Sequence, residues 1–125
     1  MEEPILREPA FLVLASLAGE PRHGYAVIED VRMISEGKTN LHTGTLYAIL
    51  DRLRSAGLIE VEREEVVRSR LRRYYRLTGL GASRLAAESA RLSQHAEVAN
   101  QRLRRLGLPL PTSSANTPAL REGLR

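Results

Sequence analysis

Apolar residues at helical spacing predict three short helices in the first part of the chain. The first begins near Pro9, which suits a first helical turn because proline lacks the N–H that such a turn leaves unpaired. It is apolar on almost every side up to Gly19, so we expect it to be mostly buried. The second predicted helix ends at Gly37 and carries four apolar residues on one face: Val27, Ile28, Val31 and Ile34.

The third predicted helix follows the polar turn "KTNLHT" and is closed by Gly57. Its apolar residues recur at helical spacing: Leu46, Ile49, Leu50 and Leu53. The opposite face has only small or polar residues: Gly44, Ala48, Asp51 and Ser55. Larger side chains flank this stripe: Thr45 and Arg52 on one side, Tyr47 and Arg54 on the other. Such a face lets another molecule approach the backbone closely; alternatively, Gly44 and Ala48 are ordinary surface residues.

The pattern changes to strict alternation after Leu58, which predicts two β-strands. In the first strand one side carries Ile59, Val61 and Arg63, and the other carries Glu60, Glu62 and Glu64. In the second strand Arg73, Tyr75 and Leu77 oppose Arg72, Tyr74 and Arg76. We therefore predict a hairpin with a polar tip between Val67 and Arg70. Because the tip has no Asn-Gly pair, we expect a longer or mobile loop rather than a tight turn.

A long fourth helix is predicted from about Leu80 to Leu106, with Thr78 as its N-cap. Within it an apolar and small-residue seam alternates steps of four and three: Ala82, Leu85, Ser89, Leu92, Ala96, Ala99, Leu103 and Leu106. A helix of this length extends about 40 Å, further than a small domain reaches, which favours pairing with a second chain over covering its own core. The Pro/Ser/Thr-rich segment from Pro109 is predicted to be disordered.

Composition narrows the class of protein. The chain has 125 residues and no cysteine, so it offers one ordinary domain without disulfides or a thiolate metal site. No apolar run approaches the roughly 20 residues that span a bilayer, and the acidic start lacks the layout of a signal peptide. These features favour a cytoplasmic protein.

Positive charge is concentrated in the later part of the chain. Residues 1–40 include four basic and seven acidic residues, whereas residues 41–125 include fifteen basic and eight acidic ones. A basic region of this kind suits a polyanionic partner, although a solvated surface explains the charge equally well. Five hairpin arginines face a strand rich in glutamate: Arg68, Arg70, Arg72, Arg73 and Arg76. We expect Arg72 and Arg76 to pair with glutamates, and Arg68 and Arg70 to contact phosphates or a minor groove.

The order of these elements is that of a winged helix-turn-helix, mainly α with a small β-hairpin, followed by a long C-terminal dimerisation helix. The predicted divisions are a DNA-binding domain over residues 1–79, a dimerisation helix over 80–108 and a disordered tail over 109–125. In this fold the third helix enters the major groove, about 12 Å wide, and small residues such as Gly44 let its backbone approach the bases.

Four segments together resemble the PadR family of bacterial transcriptional regulators: "HGY" at 23–25, "GTLY" at 44–47, "RLRSAGLI" at 52–59 and "RRYYRLTGLG" at 72–81. The resemblance extends from about Arg7 to Gly81. It implies a dimeric repressor on a palindromic operator, with the single last helix of the family's shorter subgroup pairing two subunits. It also places Tyr47 and the region of Thr45 on the DNA-reading helix, Tyr25 near the phosphates and "RRYY" in the wing.

Pattern and resemblance together predict two sets of site residues. The predicted DNA contacts are Tyr25, Thr43, Gly44, Thr45, Tyr47, Ala48, Arg52, Arg68, Arg70, Arg72 and Arg73. The predicted dimer interface comprises Leu85, Leu92, Ala96, Ala99, Leu103 and Leu106. The predicted partners are an operator duplex, a second copy of the chain and a small-molecule effector between the subunits; no metal or cofactor is predicted.

Two departures from the family and two rival functions bear on this interpretation. Ala48 stands where members usually have proline, and the chain lacks the tryptophan on which some shorter members stack flat aromatic drugs. An enzyme is disfavoured because His23, His42 and His95 lack ligand spacing and no catalytic triad or phosphate loop occurs. His23 is instead expected to cap or support the start of a helix. A winged-helix module that binds proteins without specific DNA binding stays open.

Overall fold

The computed structural model describes residues 6–108, 110 and 111. The elements are α1 (Glu8–Gly19), β1 (Arg22–His23), α2 (Gly24–Ile34), α3 (Thr43–Ser55), β2 (Ile59–Val67), β3 (Arg70–Leu77) and α4 (Gly79–Arg105). The three strands form an antiparallel sheet in the order β1-β3-β2. This confirms the predicted fold class and adds β1, whose two residues are too few to show alternation.

The chain forms two compact units, residues 1–90 and 91–125. The first holds α1 to β3 and the start of α4, and the second holds the rest of α4. Apart from residues 110 and 111, the tail predicted to be disordered lies outside the described residues.

The hydrophobic core belongs to the first unit and is built mainly by the three short helices. The buried face of α1 supplies Leu12, Val13, Leu14 and Leu17, as its apolar composition predicts. All four apolar residues of the α3 stripe are buried: Leu46, Ile49, Leu50 and Leu53. In α2 Val27 and Val31 are buried, whereas Ile34, the last helical residue, is 45% exposed. Helical periodicity therefore predicts the buried residues of α1 and α3, and fails for the last residue of α2.

The tip of the β2–β3 hairpin, called the wing below, is a tight turn. Val67 pairs with Arg70, so only Arg68 and Ser69 lie between the strands. The φ angles of these two residues are 53° and 65°. Both are positive, as a type I′ turn requires of its two central residues. The expectation of a longer or mobile loop is therefore wrong. The twist of a type I′ turn matches the right-handed twist of the two strands, and here it forms with arginine and serine instead of glycine.

A bulge at Glu62 breaks the alternation of β2. The register passes from Val61 opposite Tyr75 to Arg63 opposite Tyr74. The prediction that Arg63 shares a side with Val61 is therefore wrong, because one extra residue transfers every later side chain of β2 to the other face. Arg63 instead lies over the Tyr74 ring, with its guanidinium carbon 3.8 Å from the ring centroid.

The beginning of α4 is anchored in the first unit. The backbone N–H of Gly81 donates to Thr78 Oγ1 at 3.0 Å, which confirms Thr78 as the N-cap. The Thr78 hydroxyl in turn donates to the carbonyl of Gly57 at 2.7 Å. Leu85, which was predicted at the dimer seam, is partly buried against the core of this unit.

Candidate nucleic-acid interface

A cleft of about 690 Å³ lies between the first turns of α2 and α3 and the wing. Most of the predicted DNA contacts line it: Tyr25, Thr43, Tyr47, Arg68, Arg70, Arg72 and Arg73. The other four, Gly44, Thr45, Ala48 and Arg52, are exposed on α3. Residues from three distant parts of the sequence thus meet on one concave surface.

The N-terminus of α2 is held by His23. Its Nδ1 accepts a hydrogen bond from the backbone N–H of Ala26 at 3.4 Å, which confirms the predicted capping role. The imidazole also meets the Tyr74 ring edge-on, with 5.3 Å between ring centroids. Burial lowers the pKa of His23 below its ordinary value, the positive charge of Arg72 lowers it further, and Glu65 opposes both effects. The neutral ring, whose Nδ1 accepts this hydrogen bond, is therefore favoured. Through its contact with Tyr74, His23 also connects α2 to the wing.

Gly24 allows α2 to approach the ring of Tyr47. A Cβ on Gly24 would lie 2.5 Å from the Tyr47 hydroxyl oxygen and 2.9 Å from Cζ. Any other residue at position 24 would therefore displace Tyr47. The "HGY" segment is recognisable in the sequence, but this role of its glycine is not, since the contact joins residues 23 positions apart.

The outer stripe of α3 is open to solvent. Gly44, Ala48, Asp51 and Ser55 are all exposed, as their spacing predicts. A Cβ on Gly44 would meet nothing within 4 Å, and this residue does not have a positive φ. The fold of the described chain therefore does not require glycine at position 44. A close approach of another molecule to the backbone of α3 would explain why position 44 is glycine.

Acidic partners neutralise some arginines of the wing. Arg76 forms an ion pair with Glu60 at 2.6 Å, as expected, and Arg73 forms one with Glu64 at 2.8 Å. The expected pairing of Arg72 with a glutamate is not found. Glu65, which faces Arg72 in the register, instead accepts a hydrogen bond from the Tyr74 hydroxyl at 2.7 Å. The bulge explains the pairing of Arg73, because it brings Glu64 opposite this arginine, whereas Arg72 forms no ion pair within the described chain although Glu65 lies opposite it.

Three other arginines of the wing differ from Arg73 and Arg76 in having no ion-pair partner among the described residues. Within the part of the chain that the structure describes, Arg68, Arg70 and Arg72 form no ion pair. Arg68, in the turn, and Arg70, directly after it, are both exposed. Together with the N-terminus of α3, where the helix dipole is positive, they make this side of the unit suitable for phosphate groups.

The described residues contain no group of acidic, histidine or cysteine side chains that could hold a metal ion. Among the described helices, none combines the length and apolar character that crossing a bilayer requires.

Further along α4, in the second unit, the predicted seam is largely open to solvent. Leu92 and Leu106 are 41% and 71% exposed, Ala96 and Ala99 are exposed, and Leu103 is partly buried. Leu92, Leu103 and Leu106 are spaced so that they share one face, as the seam prediction requires.

Solved structures of similar fold include regulators from several bacteria. A PadR family transcription regulator from Clostridium difficile R20291 has 27% sequence identity and a TM-score of 0.61, over 75% of this chain and 96% of that one. One from Eggerthella lenta also has 27% identity and a TM-score of 0.61, over 76% and 83% of the chains. Bacillus subtilis PadR, solved in complex with operator DNA, has 20% identity and a TM-score of 0.58, over 65% of this chain and 47% of that one.

Sequence comparison points the same way. An uncharacterized protein from Lysinibacillus sphaericus is 28% identical over 75 residues, which are 60% of this chain and 69% of that protein. The family model of the PadR-like transcriptional regulators matches residues 13–87, from the middle of α1 through the sheet into α4. The chain belongs to the PadR-like family of transcriptional regulators.

Proposed function

We propose that this regulator binds a palindromic DNA operator as a homodimer in the cytoplasm and represses transcription. The observation that carries the proposal is the cleft, where the exposed start of α3 faces the arginines of the wing. The likeness of fold to Bacillus subtilis PadR, which was solved with operator DNA, supports it.

In this proposal α3 enters the major groove and reads the bases. Gly44 and Ala48 bring the helix backbone close to the base edges, while Thr45, Tyr47 and Arg52 contact them. Thr43, at the helix N-terminus, binds a phosphate. Tyr25, which is 74% exposed at the start of α2, contacts the neighbouring backbone.

The wing supplies contacts that do not depend on sequence. Arg68 and Arg70 bind phosphates or a minor groove, since no acid in the described chain competes for them. Arg72 adds positive charge at the base of the cleft. Arg73 contributes less than the sequence alone predicts, because Glu64 already holds its guanidinium.

The dimer forms through the exposed seam of α4, so residues 80–108 act as the dimerisation helix and residues 1–79 as the DNA-binding domain. Leu92, Leu103 and Leu106 supply most of the apolar area, and two copies of each are buried in a symmetric pair. A palindromic operator follows from this symmetry, with half-sites about 34 Å apart or a multiple of that.

Release by a small-molecule effector is a further part of the proposal. The small side chains of Ala96 and Ala99 leave room at the seam for a ligand between the subunits. A ligand that binds one arrangement of the α4 pair better than the other changes the separation of the two reading helices. A dimer whose operator affinity is indifferent to every ligand that it binds would refute this part.

Selection of bound sequences from random duplex DNA tests the proposal and identifies the operator. We expect a palindromic site, bound with an affinity that falls steeply with salt. Gly44→Phe should abolish operator binding while the chain stays folded, because its bulk holds α3 out of the groove. Gly79→Phe is the matched control: this helical glycine also has nothing within 4 Å of its Cβ position but begins α4, so the variant should bind like the parent.

Two results would contradict the proposal. If the selection enriches no sequence and binding is indifferent to salt, the unit is a protein-interaction module. If Gly44→Phe binds the operator like the parent, α3 is not the reading helix.

A further inference from the structure

Two apolar side chains face each other beside the turn of the wing. Val66 of β2 pairs with Leu71 of β3, and they are 72% and 58% exposed. Below they are called the apolar wing pair. Along β3, Leu71 lies on the same face as Tyr75, which is only 2% exposed in the core. The same face carries the ion pair of Arg73 with Glu64 between Tyr75 and Leu71. Beyond this ion pair the two apolar side chains are uncovered within the described residues.

The bulge at Glu62 creates this pair. An unbroken register from Val61 opposite Tyr75 would place Glu65 opposite Leu71. The extra residue shifts β2 by one position, so that Val66 takes this place. A charged neighbour for Leu71 is thus replaced by an apolar one, and the wing gains an exposed apolar pair beyond the ion pair of Arg73 with Glu64.

The surroundings of the pair indicate its partner. Leu71 lines the cleft together with Tyr47 and Arg70, and the turn that carries Arg68 directly follows Val67. Arg68 and Arg70 form no ion pair within the described chain, so the partner must be anionic as well as partly apolar. Duplex DNA meets both conditions, because deoxyribose faces and base edges lie between its phosphates along a groove.

We propose that the apolar wing pair contacts deoxyribose and base edges in the minor groove beside each half-site, and so adds a component of affinity that salt does not weaken. The inference rests on the proposed DNA binding and specifies how the wing takes part in it. Arg68 and Arg70 hold the flanking phosphates, while Val66 and Leu71 remove apolar surface from water between them.

The test is a pair of substitutions that remove apolar character with little change in size, Val66→Thr with Leu71→Gln. Affinity for the selected operator and for random duplex DNA is measured between about 50 and 200 mM salt. We expect the double variant to bind both DNAs about tenfold more weakly at every salt concentration. The slope of log affinity against log salt should not change, because both arginines still hold their phosphates. The heat-capacity change of binding should become less negative.

Two further variants separate this effect from others. Arg68→Ala with Arg70→Ala should lower the steepness of the salt slope by about 0.9 for each phosphate that the protein no longer neutralises. Met33→Gln is the matched apolar control: Met33 is 69% exposed at the end of α2, outside the cleft, and the variant should bind like the parent. Circular dichroism establishes that each variant is folded, and Val66→Thr alone serves if the double variant is not.

Each alternative outcome overturns the inference in a recognisable way. Parental affinity in the double variant shows that the pair does not contact DNA. A reduced slope shows that the substitutions act through the arginines. A change in solution mass with unchanged DNA affinity identifies the pair as a contact between copies of the chain. If the parent binds no duplex DNA at all, the proposed function fails together with the inference.

Discussion

Tyr47 on α3 lies against Gly24 at the start of α2, so closely that a Cβ on the glycine would sit 2.5 Å from the tyrosine hydroxyl oxygen. The contact joins the proposed reading helix to the helix before it. The Tyr47 ring also lies near Tyr75 of β3. Burial raises the pKa of Tyr75, and the nearby Tyr47 raises it further. The position of Tyr47 thus depends on both α2 and the sheet.

Gly24→Ala should therefore weaken operator binding without unfolding the chain. The added methyl group would clash with the far end of the Tyr47 side chain, which can rotate away. The expected decrease in binding free energy is therefore that of one specific contact, about 1–3 kcal/mol. Operator affinity measured in a double-mutant cycle with Tyr47→Ala checks this, since Gly24→Ala should have little further effect once the ring is gone. Additive effects would show that Gly24 acts independently of Tyr47.

Two glycines of α4 should respond to alanine in opposite directions. A Cβ on Gly81 would overlap the backbone carbonyl oxygen of Leu58, which cannot move without the strand, so Gly81→Ala should lower the free energy of unfolding by about 1–3 kcal/mol. Gly79 has nothing within 4 Å of its Cβ position, and Gly79→Ala should raise that free energy by about 0.5–1 kcal/mol. Urea denaturation measures both; equal effects would contradict the packing of α4 on Leu58.

The stability of the first unit should decrease in mild acid through His23. Its pKa lies below the ordinary value of 6.5 because the ring is partly buried, faces Arg72 and caps α2 in its neutral form. The unfolded chain therefore binds more protons between the two pKa values. Stability is complete above pH 6.5 and is lost as the pH falls through the folded-state pKa.

The free energy of unfolding from about pH 5 to 8 measures this loss, with His23→Asn as the control, since asparagine caps a helix without titrating there. The parent should lose stability relative to the variant as the pH falls. Parallel curves for the two proteins would show that His23 is not the responsible group. Glu65, the acidic residue that raises the pKa of His23, makes the window narrower than burial and Arg72 together would make it.

Leu92→Asp with Leu103→Asp should convert the proposed dimer to monomers. Burial of each leucine stabilises the dimer by roughly 1.5–3 kcal/mol, and a symmetric pair buries two copies of each. The introduced aspartates would also have to lose their water as they face each other in the interface. Light scattering measures the mass. Val98→Asp changes another exposed apolar residue of the same helix that lies off the seam, and it should leave the mass unchanged. A dimer that survives the double substitution would place the interface elsewhere.

Much of the fold was predictable from local signals. Helical periodicity identified the buried faces of α1 and α3, and Thr78 was recognisable as a cap from its position before a helix. The four short segments that resemble the PadR family predicted a family that the match over residues 13–87 confirms. Because this family consists of transcriptional regulators, the prediction that the chain is not an enzyme is also confirmed.

The sequence by itself thus determined the four helices, the two long strands, their order and the exposed stripe of α3, because these follow from spacing and capping within a few residues. Only the tertiary structure decided the register of the wing, since a single bulge at Glu62 reverses which side chains share a face. The bulge brought Glu64 opposite Arg73 and Val66 opposite Leu71. Likewise, the contact of Gly24 with Tyr47 depends on how two helices cross, and no local pattern encodes that distance.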